Sequence, residues 1–313
     1  MIPPRDHGGG VDAAAAQYGG VWSEWIDLST GINPVPYPVG EVSARGWATL
    51  PDHTAQEALI AAARGFWNVP EGAAVLAAPG ASALIANMPR LSGGGRVRID
   101  HPTYNEHRAA FQAAGWALSK EAGVRVVVHP NNPTGEYWEP DWEPQSGHDL
   151  LIIDESFCDI APDQSLIALA DRPGVVVLKS FGKFWGLAGL RLGFAIGDPA
   201  LIDQLRAMLG PWPVAGPALE IGTRALSDTQ WACDTRARLA QDAARLDRIM
   251  TRAGAGVVGG TDLFRLYDVD SATAWQARMA QAHIWTRIFP YSERWVRLGL
   301  PAPGGWERVE AIG

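Results

Sequence analysis

Leu178-Lys179-Ser180-Phe181-Gly182-Lys183-Phe184-Trp185-Gly186-Leu187-Ala188-Gly189-Leu190-Arg191-Leu192-Gly193-Phe194 follows directly on the β-branched run Val175-Val176-Val177. That run, closed by Leu178, reads as a buried strand. Beyond it the composition turns to glycine, aromatics and a few polar groups. Lys183 lies in a loop that needs no lysine for solubility, with Ser180 three residues before it and Arg191 eight after. A guanidinium fork suits a phosphate, and a lysine amine condenses with an aldehyde. The stretch therefore reads as a reactive amine beside an anion site at the end of a strand. An isolated S-x-x-K is by itself an ordinary surface loop, so the rest of the chain has to supply the remaining chemistry.

The same layout recurs upstream. Ala74 to Ala78 runs into Pro79-Gly80-Ala81-Ser82, and Arg96 to Asp100 into His101-Pro102-Thr103-Tyr104-Asn105-Glu106-His107. Val124 to Val128 runs into His129-Pro130-Asn131-Asn132-Pro133-Thr134-Gly135, and Leu150 to Ile153 into Asp154-Glu155-Ser156-Phe157. Each run is short and apolar, as in an α/β domain with a mostly parallel sheet. Polar residues gather at the carboxyl ends of successive strands, where open sheets bind ligands. Gly80-Ala81-Ser82, between a strand and a helical stretch, is the arrangement in which backbone N–H groups and a helix dipole meet an anion. A helix is expected over residues 52–64, capped by Asp52 or Thr54 and ended by Gly65.

The flanks differ in character. Residues 1–40 are rich in Gly and Pro and read as an extended arm with a short apolar segment near Trp25 to Leu28. After Pro199 the pattern predicts helix over 201–209, a break at 211–217, helix over 218–253 interrupted near Ser227-Asp228, and helix over 272–283. Strands are expected over 264–269, 285–289 and 295–300. The expected organisation is a large α/β domain over 41–210. A smaller α+β domain is expected from residues 1–40 with 211–313.

At 313 residues the chain is long enough for these two domains. A net charge of −8 argues against a general nucleic-acid surface. Cys158 and Cys233 form no C-x-x-C, so neither a zinc site nor a disulfide framework is indicated, which suits a cytoplasmic protein. No apolar run has the length of a membrane span, and the first residues lack the apolar core of a signal peptide.

PTYNEH (102–107), PNNPTG (130–135), a strand ending in Asp154-Glu155, and SFGKFWGLAGLRLG (180–193) stand in a telling order. From Asp27 to about Pro301 the chain resembles the pyridoxal 5'-phosphate (PLP)-dependent class I/II aminotransferase superfamily of fold type I. The resemblance implies Lys183 as the Schiff-base lysine and Asp154, supported by His107, as partner of the pyridine nitrogen. It implies Asn132 at the phenolic oxygen and toward substrate, and Tyr104 stacked on the ring. Gly80, Ala81, Ser82, Ser180 and Arg191 would hold the cofactor phosphate. Arg297 would grip the substrate carboxylate, with Arg294 the second candidate, and the assembly would be a homodimer.

His7-Gly8-Gly9, the arm Leu28-Ser29-Thr30-Gly31-Ile32-Asn33-Pro34 and the ending Arg297-Leu298-Gly299-Leu300-Pro301 resemble the L-threonine-O-3-phosphate decarboxylases of cobalamin biosynthesis. That subgroup forms (R)-1-amino-2-propanol O-2-phosphate, and the likeness puts His7, Ile32 and Asn33 at the substrate. The neighbouring reading is a histidinol-phosphate aminotransferase. A remoter one is a PLP-binding regulatory domain, for which the chain has no helix-turn-helix extension. Two positions depart from the transaminase pattern: Leu50 precedes Pro51 where a tyrosine usually reaches the partner subunit, and Phe157 replaces a tyrosine that commonly bonds the phenolic oxygen.

Overall fold

The computed structural model describes residues 6–139 and 150–312. The chain begins with helix α1 (Val11–Tyr18), strand β1 (Ile26–Asp27), helices α2 (Ala44–Ala48) and α3 (His53–Trp67), strand β2 (Ala74–Ala78) and helix α4 (Ala81–Asn87). Strand β3 (Arg96–Ile99), helix α5 (Asn105–Ala113) and strands β4 (Ala117–Leu118), β5 (Val124–Val128), β6 (Leu150–Asp154), β7 (Val175–Ser180) and β8 (Gly193–Gly197) follow. Next come helices α6 (Pro199–Leu209), α7 (Gly216–Ser227) and α8 (Thr229–Arg252), and strands β9 (Gly256–Thr261) and β10 (Phe264–Asp268). The last elements are α9 (Ala272–Gln281), β11 (Ile284–Trp285), β12 (Arg287–Phe289), β13 (Ser292–Gly299) and α10 (Trp306–Glu310).

Two compact units result. The large one holds the described residues of Tyr37–Asn132 and Glu136–Asp234. The sequence reading ended this unit at residue 210. It extends further because α7 packs along α3, so closely that a Cβ on Gly222 would meet the Leu59 side chain at 2.9 Å. Gly216-Pro217, read as a break, instead opens α7, where proline is tolerated in the first turn.

The large unit is built on a seven-stranded sheet ordered β2-β8-β7-β6-β5-β3-β4. All pairings are parallel except those of β8, which runs antiparallel to both β2 and β7. Alternation along the strands decides which side chains share a face. Val124 and Val126, Leu150 and Ile152, and Val176 and Leu178 pack with Leu84, Phe111 and Ile202 of α4, α5 and α6. The next residues on that face are Val128, Asp154 and Ser180, and Asp154 stands beside Val128 and Leu178 in the ladder. The same parity sends Glu155 and Lys179 to the opposite face.

The small unit comprises the described residues up to Pro36, Pro133–Gly135 and those from Thr235 onward. An antiparallel sheet ordered β12-β13-β10-β9 forms its frame, and β1 pairs in parallel with β11. The arm is not simply extended, as expected from its glycines, because α1 forms within it. Val11 and Ala14 of that helix bury against Trp25 and Ala280, with Tyr18 and Trp285 at the edge. Among the described residues no helix is long and apolar enough to cross a membrane.

Candidate active site

The carboxyl ends of β5, β6 and β7 open into one cavity of the large unit. Ala81, Ser82, Ile85, Tyr104, Val128, Asn132 and Asp154 line it, together with Ser156, Phe157, Ser180, Gly182, Lys183, Ala188 and Arg191. The sequence placed its polar members other than Ser156 at strand ends or in the loops that follow them, and the fold brings these together. Asn132 reaches the cavity because its neighbour pins the turn. Buried Asn131 donates from Nδ2 to the Pro102 carbonyl (3.0 Å) and accepts from Thr103 Oγ1 (2.6 Å). Tyr104 precedes the first turn of α5, its ring edge-on to His107 at 6.1 Å between centroids.

Asp154 is only 2 % exposed. His107 Nε2 lies 2.8 Å from Asp154 Oδ2. His107 Nδ1 is buried with no hydrogen-bond partner, so the neutral tautomer carries its proton on Nε2 and donates it to the carboxylate. Asp154 Oδ1 accepts from the Ser156 amide (3.0 Å) and hydroxyl (2.5 Å). Burial alone would raise the pKa of this carboxyl, but the His107 and Ser156 hydrogen bonds outweigh it and hold the group below the ordinary carboxylate range. A buried, ionised carboxylate with a free lone pair on Oδ2 suits a cationic ring nitrogen. Ser156 was not singled out in the sequence. Only its position two residues past a strand-terminal Asp, in a turn, could have signalled it.

The anion side is equally specific. Gly80 adopts φ +86°, and a Cβ there would lie 2.6 Å from an Arg191 guanidinium nitrogen. A Cβ on Gly193 would meet the Ala81 amide nitrogen at 2.5 Å. Only glycines leave room at these two points. Arg191 itself is left-handed (φ 51°) and donates from NH1 to the Ala188 carbonyl (3.0 Å). The Ser82 and Ser180 hydroxyls and the Arg191 fork thus share the cavity with the Lys183 amine. Lys183 Nζ sits 5.2 Å from the Phe157 ring centroid. Of the expected cofactor contacts, Gly80 acts by yielding space and His107 stands behind Asp154, while the others line the cavity.

The residues expected at the substrate lie in the small unit, apart from Asn132. Arg297 is buried on β13, donates to the Ser29 carbonyl (2.7 Å) and faces the Phe264 ring at 5.1 Å. Burial, reinforced by like-charged Arg287, lowers its pKa to about 10, so it stays cationic at neutral pH. Arg287 is directly opposite Arg297 in the β12–β13 ladder, a cation that the sequence reading missed because the pairing is set only by the sheet. The Gly9 amide donates to Ser29 Oγ (2.6 Å), so the chain just after His7 runs beside the residue that holds Arg297. Asn33, next to half-buried Ile32, is buried, and its Oδ1 accepts from Arg238 (2.7 Å) and the Val35 amide (3.0 Å). Arg294 is bidentate on Asp268 at the surface, which leaves Arg297 as the buried candidate.

A model of the family described as aminotransferase class I and II matches residues 58–310. A threonine-phosphate decarboxylase of Sinorhizobium sp is 38 % identical to this chain, covering 98 % of it and 97 % of the relative. One from Pseudomonas aeruginosa is also 38 % identical, covering 98 % and 96 %. Among solved structures, the histidinol-phosphate aminotransferase of Sinorhizobium meliloti in complex with pyridoxal-5'-phosphate superposes with a TM-score of 0.83. It is 19 % identical, covering 99 % of this chain and 95 % of that one, and the likeness is one of fold.

Proposed function

The chain belongs to the class I and II aminotransferase family, and within it we propose a PLP-dependent lyase that decarboxylates L-threonine O-3-phosphate to (R)-1-amino-2-propanol O-2-phosphate, a step of cobalamin biosynthesis. One observation carries the reaction: the likeness to threonine-phosphate decarboxylases runs through nearly the whole chain, small unit included. The cavity fits the cofactor. Its glycine-walled corner beside Arg191, its buried Asp154 and its single lysine match a phosphate, a ring nitrogen and an aldehyde.

PLP, when bound, supplies an electron sink for the bonding pair left at Cα as carbon dioxide departs. The chain's own groups do the rest. Lys183 Nζ would hold the aldehyde carbon and afterwards return a proton to the substrate carbon, being the only side-chain amine among the described residues that line the cavity. Asp154, kept ionised by His107 and Ser156, would keep a proton on the ring nitrogen. Asn132 would donate to the phenolic oxygen, a task that falls to it because Phe157 has no hydroxyl. Ser82, Ser180 and Arg191 would hold the cofactor phosphate, and Tyr104 the ring face. In the small unit, Arg297 would bind the carboxylate, with His7, Ile32 and Asn33 beside the substrate. Arg287, opposite Arg297, is ion-paired with Asp6, so the carboxylate grip falls to Arg297.

A homodimer in the cytoplasm completes the proposal. Trp47 (72 % exposed), Leu50 (65 %) and Trp212 (52 %) of the large unit are large apolar side chains left to solvent in the single chain, as a second copy would cover them. Both cysteines are free thiols, in keeping with a reducing compartment. The reaction is tested by incubating PLP-loaded protein with O-phospho-L-threonine and measuring carbon dioxide and aminopropanol phosphate. Product without any 2-oxo acid acceptor is expected. Amino transfer from histidinol phosphate to 2-oxoglutarate, with no carbon dioxide released, would replace the proposal with the aminotransferase reading.

A further inference from the structure

Asp154 and Ser180 face the cavity, and strand alternation turns their neighbours Glu155 and Lys179 to the other side of the sheet. A fully buried ionic cluster sits there, and no step of the proposed reaction uses it. Lys179 Nζ lies 2.5 Å from Glu155 Oε2 and 3.6 Å from Asp159 Oδ1. Glu155 is further satisfied by Ser165 Oγ (2.7 Å) and the Leu166 amide (2.5 Å). Burial would lower the Lys179 pKa, but Glu155 and then Asp159 hold it above the ordinary lysine range, so the ammonium persists. Two carboxylates thus face Lys179, and at the longer distance the Asp159 charge is the less satisfied by it.

Neutral donors compensate that charge, and they come from two different places. Trp67 at the end of α3 donates its indole N–H to Asp159 Oδ1 (2.8 Å), and Trp185 donates to Oδ2 (3.0 Å). Trp185 is two residues past Lys183, in the same irregular loop, whose turn is closed by the Gly186 amide on the Lys183 carbonyl (3.1 Å). Its indole is fully buried, stacked on Phe181 (5.1 Å, 11° between planes) and on Trp231 (5.4 Å, 13°). Tyr37, Phe66 and Phe184 pack around the same ring. Such apolar contacts are non-directional, and the carboxylate adds a directional hold on the indole N–H, because hydrogen bonds to a buried charge are strong and directional.

We infer that Asp159, acting through the Trp185 indole N–H, is a positioning residue that holds the Lys183 loop at the depth in the cavity its amine requires. The inference rests on the reading of Lys183 as the cofactor lysine. Four variants of the PLP-loaded protein test it: W185F, D159N, W67F and K183A. W185F keeps the stack and loses only the loop's hydrogen bond to Asp159. The cofactor-band circular dichroism, which reports the orientation of the bound ring, is read together with kcat and KM for O-phospho-L-threonine and with Tm. W185F and D159N are expected to lower kcat by about tenfold with KM nearly unchanged, and to alter the dichroism. W67F, which removes a different indole donor from the same carboxylate, should lower Tm comparably while dichroism and kcat stay as in the parent. A W185F that behaves like W67F, losing only Tm, would make the cluster purely structural and overturn the inference. W185F decides the question even if D159N does not fold. K183A separates the premise: it should lose the absorbance of lysine-bound cofactor, and its retention would overturn the assignment of Lys183 whatever W185F does.

Discussion

At Asp154 two opposed effects meet. Burial favours the neutral acid, whereas His107 and Ser156 favour the carboxylate and prevail, so the folded pKa is depressed. A depressed carboxyl contributes stability above the unfolded pKa of about 4 and loses it as the pH falls through the folded value. H107F keeps a ring of similar size but removes the donor at Oδ2, leaving Ser156 alone against burial. The folded pKa then rises, and the acid limb of the kcat/KM profile should move to higher pH, with kcat at neutrality lower by about tenfold or more. An acid limb that stays in place would show that His107 does not govern this carboxylate. Gly80 gives the second prediction at this scale. G80A forces a side chain into a left-handed backbone and pushes its Cβ onto the Arg191 guanidinium. PLP affinity, followed by absorbance titration, should weaken by about tenfold, the worth of one charge-assisted hydrogen bond. Unchanged affinity would remove Arg191 from the phosphate site.

At the scale of elements, α3 carries a cap that its sequence announces. The Asp52 Oδ1 accepts from the Ala55 amide (2.9 Å). D52A should therefore cost about 1 kcal/mol, seen as a fall in Tm of about 2 °C by calorimetry. The helix passes through Gly65 to Trp67 and ends at Asn68, whose φ of 50° supplies the left-handed turn expected of the glycine. Burial of Trp67 outweighs the modest helix cost of one glycine. The buried parallel strands were legible because nothing but apolar side chains fits a sheet covered on both faces. β8 and β9 were not. Gly193-Phe194-Ala195-Ile196-Gly197 reads as the tail of the lysine loop, and Gly256 to Thr261 is too glycine-rich for a strand until β10 supplies its partner. Of the site, Lys183, Asp154, Asn132 and Arg191 could be read from residue type and position at strand ends. Ser156 was signalled only by its place in the turn two residues past Asp154, and Arg287 and the Lys179–Glu155–Asp159 cluster could not be read at all, since each depends on which face or neighbour the register provides.

At the scale of the whole molecule, the chemistry of the large unit accounts for a cofactor site without choosing a reaction. Its cavity holds an amine, a carboxylate and an anion cradle, a set that serves decarboxylation and transamination alike. Selection between them is a matter of which Cα bond stands across the ring plane, and that falls to the carboxylate grip proposed for Arg297. The assembly is open to a separate check. The parent protein should sediment as a dimer at micromolar concentration, and W47D, which puts a charge on the exposed apolar face of the large unit, should shift it toward monomer. A parent that sediments as monomer would exclude the proposed interface. The central claim, decarboxylation on a lysine-held cofactor, is tested most directly by a single turnover of O-phospho-L-threonine in D2O, with the product examined by mass spectrometry. The account predicts stoichiometric carbon dioxide, aminopropanol phosphate bearing a single carbon-bound deuteron, and cofactor returned to its aldehyde form. A 2-oxo acid phosphate, with the cofactor left in its amine form, would contradict it.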